Sequence, residues 1–247
     1  MVYTVASHAA DESMHGRTLA VTPELAGWAG LTFRTYLFRA GHPVDGESVG
    51  DEVLTIFLYG SATMRVGDRK WEVVGGIDDS CGESHLVYMP PRHTYLLTPH
   101  TDCEVAYARA PAEGRFPPRL ITPGTQAVVD LSSGKTRHQV TSVLGPGEAE
   151  HLLCAEVLTP AGNWSDCPLQ GFGVAPPARG AARAELCYHR ISSQDGWAVQ
   201  RLYSDDGAVD EAVVVRDADA VLVREAYHPA VASPDCSLYT LHVATVG

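Results

Sequence analysis

Two stretches of the chain, about 135 residues apart, decide its fold. Val87–His93 reads VYMPPRH, and Leu222–His228 reads LVREAYH. Each is an apolar run that ends in a histidine, and each is followed after four residues by a Thr-Pro or Ser-Pro pair, then by a cysteine and a tyrosine. Such self-similarity at a fixed offset indicates an internal duplication.

Carboxylates upstream repeat with nearly the same offset. Glu52 and Glu185 each stand at the head of an apolar run. About 40 residues later, each is followed by a histidine near a proline, His93 or His228. Duplication of a unit of about eight β-strands is the economical explanation. The alternative is chance similarity between proline-rich β loops.

Short apolar runs dominate the chain, and glycines and prolines separate them. Runs of four to eight residues bounded by turn residues are typical of strands. Helical periodicity is not sustained over any long window, and Pro23–Gly30 is the one modest helix candidate. The pattern therefore predicts an all-β protein, in which Gly60 ends the strand Val53–Tyr59 before another begins at Ala62.

The repeat also predicts how the chain divides, with a boundary near residues 111–145. We expect an N-terminal extension at 1–29, an N-terminal domain at 30–112, a linker with inter-domain strands at 113–145, and a C-terminal domain at 146–247. The open mouth of a small β-barrel is a usual ligand site.

Composition excludes several classes of protein. The formal net charge of −12 opposes binding to nucleic acid or to an anionic membrane. No apolar run is long enough to cross a membrane, and the first 16 residues lack the features of a signal peptide. We therefore expect a cytoplasmic protein that acts on a small molecule. The six cysteines occur singly, which favours reduced thiols and excludes a zinc finger or a redox dithiol.

Several motifs together resemble one family. They are Thr159–Ser165 (TPAGNWS), Glu185–Arg190 (ELCYHR), Gly196–Tyr203 (GWAVQRLY), Asp219–Val223 (DAVLV) and Tyr227–Pro229 (YHP). This combination is similar to the 5-deoxy-glucuronate isomerases of inositol catabolism, and the resemblance extends over about residues 30–243. Those enzymes are bicupins, so the resemblance implies two tandem jelly-roll β-barrels.

The resemblance also implies a reaction, the aldose–ketose isomerisation of an acidic sugar. A base removes a proton next to a carbonyl, and a cation or hydrogen-bond donor stabilises the resulting charge. In the family a metal ion is held by a His-x-His pair, a glutamate and one further histidine. Glu185 stands at the place of the glutamate, and His228 at the place of the last histidine.

The His-x-His pair is missing from this sequence. Gln170 and Phe172 occupy its two positions. Amide oxygen is a poor ligand for zinc-like ions, and phenylalanine offers none. We therefore expect no tightly bound metal, with zinc or manganese as the alternative if Asp166 or Cys167 supplies a ligand. Without a metal, Glu185 and His228 are the predicted catalytic acid–base pair.

Further residues are candidates for binding substrate. Arg201 offers a guanidinium fork for a substrate carboxylate, or it is a surface residue paired with Asp205 or Asp206. Tyr188 and Tyr239 offer hydroxyl groups at the mouth of the barrel. Three residues of the altered metal loop are expected to line the pocket: Cys167, Gln170 and Phe172.

Three functions remain open at this point. The first is an isomerase of sugar acids or related small polar molecules. The second is a diverged, metal-independent biosynthetic enzyme that performs an elimination or a cyclisation. The third is a non-catalytic bicupin that binds a small molecule. The family resemblance further implies a homo-oligomer associated through its sheets.

Overall fold

The structure is a computed structural model that describes residues 3–12, 15–76, 84–133, 136–165, 184–193, 195–223 and 226–246. It confirms the all-β prediction, since one short helix, α1 (Pro23–Ala26), accompanies the strands. The helix begins where the Thr22 side chain accepts the Leu25 N–H, and it ends at Gly27, whose backbone is left-handed.

The described residues form nineteen strands. They are β1 (Thr4–Val5), β2 (Arg17–Val21), β3 (Thr32–Phe38), β4 (Val44–Glu47), β5 (Asp51–Val66), β6 (Arg69–Gly76), β7 (Leu86–Met89), β8 (Thr94–Pro99), β9 (Cys103–Pro111), β10 (Arg119–Ile121), β11 (Ala127–Ser133), β12 (Thr136–Leu144), β13 (Leu152–Thr159), β14 (Glu185–Ile191), β15 (Ala198–Tyr203), β16 (Asp210–Val215), β17 (Ala220–Val223), β18 (Ala230–Ala232) and β19 (Leu238–Thr245).

The strands form two compact units. The N-terminal unit comprises residues 8–126 and 147–152, and the C-terminal unit comprises residues 1–7, 127–146 and 153–247. The units are therefore not serial in sequence. Residues 1–7 belong to the C-terminal unit, where β1 pairs with β17. Residues 147–152 belong to the N-terminal unit, where residues 150–152 bind to Glu52 of β5.

Both units contain the same succession of paired strands. In the N-terminal unit the order is β7-β5-β9-β3-β2, and in the C-terminal unit it is β17-β14-β19-β13-β12. The smaller pairings also correspond, since the second half of β5 pairs with β6 and β8 as β15 pairs with β16 and β18. This correspondence is what an internal duplication predicts.

The expectation that a strand stops at Gly60 is wrong. Gly60 lies inside β5, where its φ of 86° bends the strand without ending it. A Cβ atom there would lie 2.2 Å from the Asp102 carbonyl oxygen. Glycine tolerates this conformation and this approach, so one continuous strand pairs with β7 and β9 before the bend and with β6 and β8 after it.

The core of the C-terminal unit lies between two sheets. Cys187 and Leu238 of the seven-stranded sheet pack with Ala198, Leu202 and Val215 of the three-stranded sheet, and all five are buried. Side chains that alternate along β14 therefore point either into this core or to the other face of the sheet.

Glu52, the counterpart of Glu185, has a structural role in the N-terminal unit. Its buried carboxylate accepts N–H groups from Glu150, His151 and Leu152 at 2.7–3.0 Å. It also accepts the Tyr88 hydroxyl at 2.8 Å. These four donors fix the segment 150–152 to the start of β5, and they satisfy a charge that would otherwise be costly to bury.

We predict that Glu52→Gln lowers the free energy of unfolding by roughly 2–4 kcal/mol. The glutamine side chain is uncharged, so it is a weaker hydrogen-bond acceptor, and its NH₂ group faces backbone N–H groups that need an acceptor. Urea unfolding followed by circular dichroism measures the loss. Glu72→Gln is the control, since that carboxylate is exposed on the same unit, and its effect should stay within about 0.5 kcal/mol. Equal stability of the two variants would contradict a structural role for Glu52.

A second buried carboxylate lies on β13, on the face of the sheet that Tyr239 shares. Burial raises the pKa of Glu156 to about 7, although the Tyr239 hydroxyl, 2.8 Å from its Oε1, favours the ionised form. The folded chain therefore keeps a proton on Glu156 between about pH 4.5 and 7, a range in which the unfolded chain has lost it. The free energy of unfolding consequently falls as the pH rises through this window.

We expect Glu156→Gln to remove this fall, because the amide stays neutral and still accepts the Tyr239 hydroxyl. Relative to wild type, the variant should gain stability on going from pH 5 to pH 8, on the order of 3 kcal/mol. Urea unfolding at the two pH values measures the difference. The control Glu211→Gln, on the exposed part of β16, should show no such gain. If the stability difference between Glu156→Gln and wild type is the same at pH 5 and pH 8, the interpretation is refuted.

Among the described residues, none of the helices has the length and apolar character needed to span a membrane.

Candidate functional site

One face of β14 carries three ionisable side chains into the core of the C-terminal unit. Glu185, Cys187 and His189 alternate with Leu186, Tyr188 and Arg190 along the strand. The antiparallel register sets Cys187 opposite His242 of β19 and His189 opposite Thr240. Directly opposite residues of neighbouring strands share a face, so these side chains meet in the interior.

Glu185 and His228 form a buried ion pair. The Nε2 atom of His228 lies 3.0 Å from Oε1 of Glu185. Burial raises the pKa of the Glu185 carboxyl, but the charge and the hydrogen bond of His228, with a smaller contribution from His242, outweigh this effect and lower it to about 2. Glu185 is therefore ionised at neutral pH, and it fixes the Nε2–H of the His228 ring toward itself.

Cys187 and His242 form a second close pair in the same cluster. The Cys187 Sγ lies 3.4 Å from Nδ1 of His242 and 4.0 Å from Nδ1 of His228. Burial raises the pKa of the thiol, yet the charges of the two histidines bring it down to about 6. Burial lowers the pKa of His242, but the thiolate and Glu185 raise it overall. The two groups therefore stabilise each other's charged forms, and the thiolate of Cys187 is favoured at neutral pH.

Gln200 connects this cluster to the three-stranded sheet. Its amide nitrogen donates to Cys187 Sγ at 3.3 Å and to the His228 carbonyl at 3.0 Å. Its amide oxygen lies 2.9 Å from His189 Nε2, and His189 Nδ1 lies 3.0 Å from the Thr240 hydroxyl. Burial lowers the pKa of His189 to about 3, so this ring is neutral. Gln200 thereby connects Cys187 and the backbone of His228 to β15.

The donor set suits a metal ion. One ligand atom from each of Cys187, His228 and His242 lies within 4.8 Å of the others. Thiolate sulfur and imidazole nitrogen are both zinc ligands, and three protein ligands with one open position are typical of catalytic zinc sites. Glu185, hydrogen-bonded to the far nitrogen of His228, would orient that ligand. The expectation that only Glu185 and His228 remain as potential ligands was therefore too narrow.

The other residues predicted to form the site lie elsewhere. Tyr188 and Tyr239 point to the opposite face of the sheet from Cys187, as the register requires, so the prediction that their hydroxyls reach the site needs correction. Arg201 alternates with the inward Gln200 and lies on the exposed side, where its Nη2 pairs with Asp210 at 2.9 Å. The predictions for Cys167, Gln170 and Phe172 fall outside the described residues.

Sequence reasoning missed Cys187 and His242 as site residues. The alternation in Glu185–His189 already placed Cys187 on the face of Glu185, and this signal was available. His242 had no comparable signal, because its role depends on which strand lies beside β14 and in which register.

The N-terminal unit contains a separate cavity of about 140 Å³. Tyr36, Tyr95 and Tyr107 line it together with Arg109. The Arg109 guanidinium is engaged by the Asp51 carboxylate at 3.1 Å and by the Ser48 carbonyl at 2.7 Å. Its observed contacts are thus those of a residue that holds the β4–β5 connection in place.

Comparisons with known proteins identify relatives of this chain by sequence. The chain is 33% identical to a 5-deoxy-glucuronate isomerase of Geobacillus thermodenitrificans, over 98% of this chain and 88% of that protein. It is 34% identical to the protein of the same name from Geobacillus kaustophilus, over 97% and 87%.

Solved structures show the same fold. A crystal structure of an IolB-like protein from Salmonella typhimurium matches with a TM-score of 0.84 and 26% identity, covering 100% of this chain and 93% of the other. A mutant of Bacillus subtilis oxalate decarboxylase matches with a TM-score of 0.64 and 13% identity, over 98% and 76%, which supports the fold alone. The predicted cupin-type fold is thereby confirmed. The model of the KduI/IolB family matches residues 4–245, and with these relatives it shows that the chain belongs to that family.

Proposed function

We propose that this chain is an aldose–ketose isomerase of a sugar acid of the 5-deoxy-glucuronate type. Its relatives by sequence support an isomerase. The observation that carries the proposal is the buried contact of 3.0 Å between Glu185 and His228 in the core of the C-terminal unit. Buried ionisable groups with strongly perturbed pKa values are characteristic of catalytic sites.

The two residues have different roles in this proposal. Glu185, with a pKa near 2, is too weak a base to take a proton from carbon near neutral pH. It instead holds the ring of His228 and stabilises the imidazolium, which makes Glu185 a positioning residue. His228 carries the proton between the two substrate carbons, since an imidazole can both accept and return it.

The developing negative charge on the substrate oxygen needs a partner next to His228. His242 is the neighbouring imidazole whose protonated form Cys187 and Glu185 favour, and its ring centroid lies 5.3 Å from that of His228. A divalent ion held by Cys187, His228 and His242 would instead supply a Lewis acid, and His228 would then be a metal ligand and not the proton carrier. The side chains of Glu185 and His242 keep 9% and 6% of their surface exposed, so the cluster reaches the accessible surface at these two residues.

One feature of the proposal, the acid group of the substrate, rests on the names of the relatives alone. The elimination, cyclisation and binding-only alternatives involve the same cluster, and they are outcomes of the experiment below.

We predict that the purified chain interconverts 5-deoxy-glucuronate and its 2-keto isomer. Nuclear magnetic resonance in D₂O follows both the conversion and the entry of deuterium at the reacting carbon. His228→Gln should lower kcat by roughly 10²–10⁴-fold, as expected for loss of a general acid–base group. Glu185→Gln should lower kcat and shift its pH profile, because the imidazolium loses its counter-charge.

An exposed pair of the same chemical type provides the control. His100 and Glu72 lie 3.2 Å apart on the surface of the N-terminal unit, so His100→Gln and Glu72→Gln should leave kcat unchanged. Isomerisation that continues at the wild-type rate in folded His228→Gln would refute the proposal. Binding without deuterium exchange would favour the non-catalytic alternative, and release of water or ring closure would favour the biosynthetic one.

A further inference from the structure

The structure places two further metal-binding atoms, from Cys187 and His242, beside His228. Cys187 Sγ and His242 Nδ1 face each other across adjacent strands at 3.4 Å, and His228 Nδ1 lies 4.0 Å from the same sulfur. In a tetrahedral zinc site, Zn–S and Zn–N bonds of about 2.3 and 2.0–2.1 Å set neighbouring donors roughly 3.3–3.6 Å apart. The first separation is already in this range, and the second needs a shift of less than about 0.7 Å. The third, between the two histidines, lies within 4.8 Å.

The hydrogen bonds around the three atoms orient them as ligands. Glu185 accepts from His228 Nε2 at 3.0 Å, so the free electron pair of that ring is on Nδ1, toward Cys187. A carboxylate on the far nitrogen of a ligating histidine is the usual outer partner of a zinc ligand. Gln200 donates an N–H to Cys187 Sγ at 3.3 Å, which favours the thiolate.

Burial gives a further reason to expect an ion. Cys187 and His228 are 0% and 2% exposed, and they lie in a core that is otherwise largely apolar. Two imidazoles, a thiol and a carboxylate in such a core are costly unless their charges are compensated. A divalent cation compensates a thiolate and a carboxylate together, while both histidines stay neutral.

We propose that Cys187, His228 and His242 form a thiolate-bearing metal centre that selects zinc, with Glu185 as the orienting partner of His228. These ligands come from β14, from β19 and from the loop before β18, and none comes from positions 170 and 172, which Gln170 and Phe172 occupy. The thiolate decides the preference, because soft sulfur ligands favour zinc over manganese or magnesium. Three protein ligands leave one position for a substrate oxygen. The inference deepens the proposed site, but it requires no particular substrate.

Cobalt provides a direct test, since Co²⁺ reports its ligands by absorption. The full chain is freed of metal with a chelator under reducing conditions and titrated with Co²⁺. We expect one equivalent to produce a sulfur-to-cobalt charge-transfer band in the near ultraviolet together with the intense visible bands of tetrahedral cobalt. One equivalent of Zn²⁺ should then remove both.

Variants assign the ligands. Cys187→Ser should abolish the charge-transfer band, and Glu185→Gln should weaken Zn²⁺ binding by roughly 10- to 100-fold, as expected for an outer partner. Cys154→Ser is the matched control, because Cys154 is also buried in the C-terminal unit but belongs to no potential metal cluster among the described residues. The Cys154→Ser variant should keep the charge-transfer band. Circular dichroism confirms that each variant is folded.

X-ray absorption of the wild-type zinc form keeps the test decisive if Cys187→Ser fails to fold. It should show one sulfur and two imidazole nitrogens around the metal. A zinc or cobalt site without sulfur, loss of the band in Cys167→Ser in place of Cys187→Ser, or failure of the wild type to bind either ion would each overturn the proposal. Since these readouts require no turnover, an inactive protein that shows the band would contradict the proposed function alone.

Discussion

Mutual compensation of buried charges is the constraint on which the C-terminal site depends. Glu185, Cys187, His228 and His242 occupy a core from which water is largely excluded, and none of them is stable there as an isolated ion. Neighbouring groups favour the charged forms of Glu185, Cys187 and His242, against the effect of burial on each of them. Removing one member therefore changes the protonation of the others, so the cluster acts as a unit.

The two units show what one position can become after a duplication. Glu52 and Glu185 stand at the head of equivalent strands, β5 and β14. In the N-terminal unit, backbone N–H groups and a tyrosine saturate the carboxylate, and no acceptor position is left for a ligand. In the C-terminal unit, imidazole rings take the place of those donors. Glutamate at this position thus binds backbone N–H groups of residues 150–152 in the N-terminal unit and pairs with His228 in the C-terminal unit.

Much of the fold could be predicted from the sequence, but the composition of the site could not. Alternation and turn residues located most of the longer strands, and the repeated histidines at His93 and His228 revealed the duplication. Gly60 was misjudged, because a glycine ends a strand or bends it according to what the strand meets next. His242 was missed for a related reason: the register of β14 against β19 is set by packing over the whole sheet, and no local pattern encodes it. Tyr188 and Tyr239 were assigned to the site through the same lack of register.

The strand β1 has a consequence for the order in which the molecule forms. Thr4 and Val221 lie opposite each other on adjacent strands although most of the chain separates them, and the Tyr3 carbonyl accepts the Leu222 N–H. Residues 4–5 are synthesised long before residues 220–221, so β1 can join the edge of the C-terminal sheet only after β17 has been made. Pairings of such high contact order form slowly.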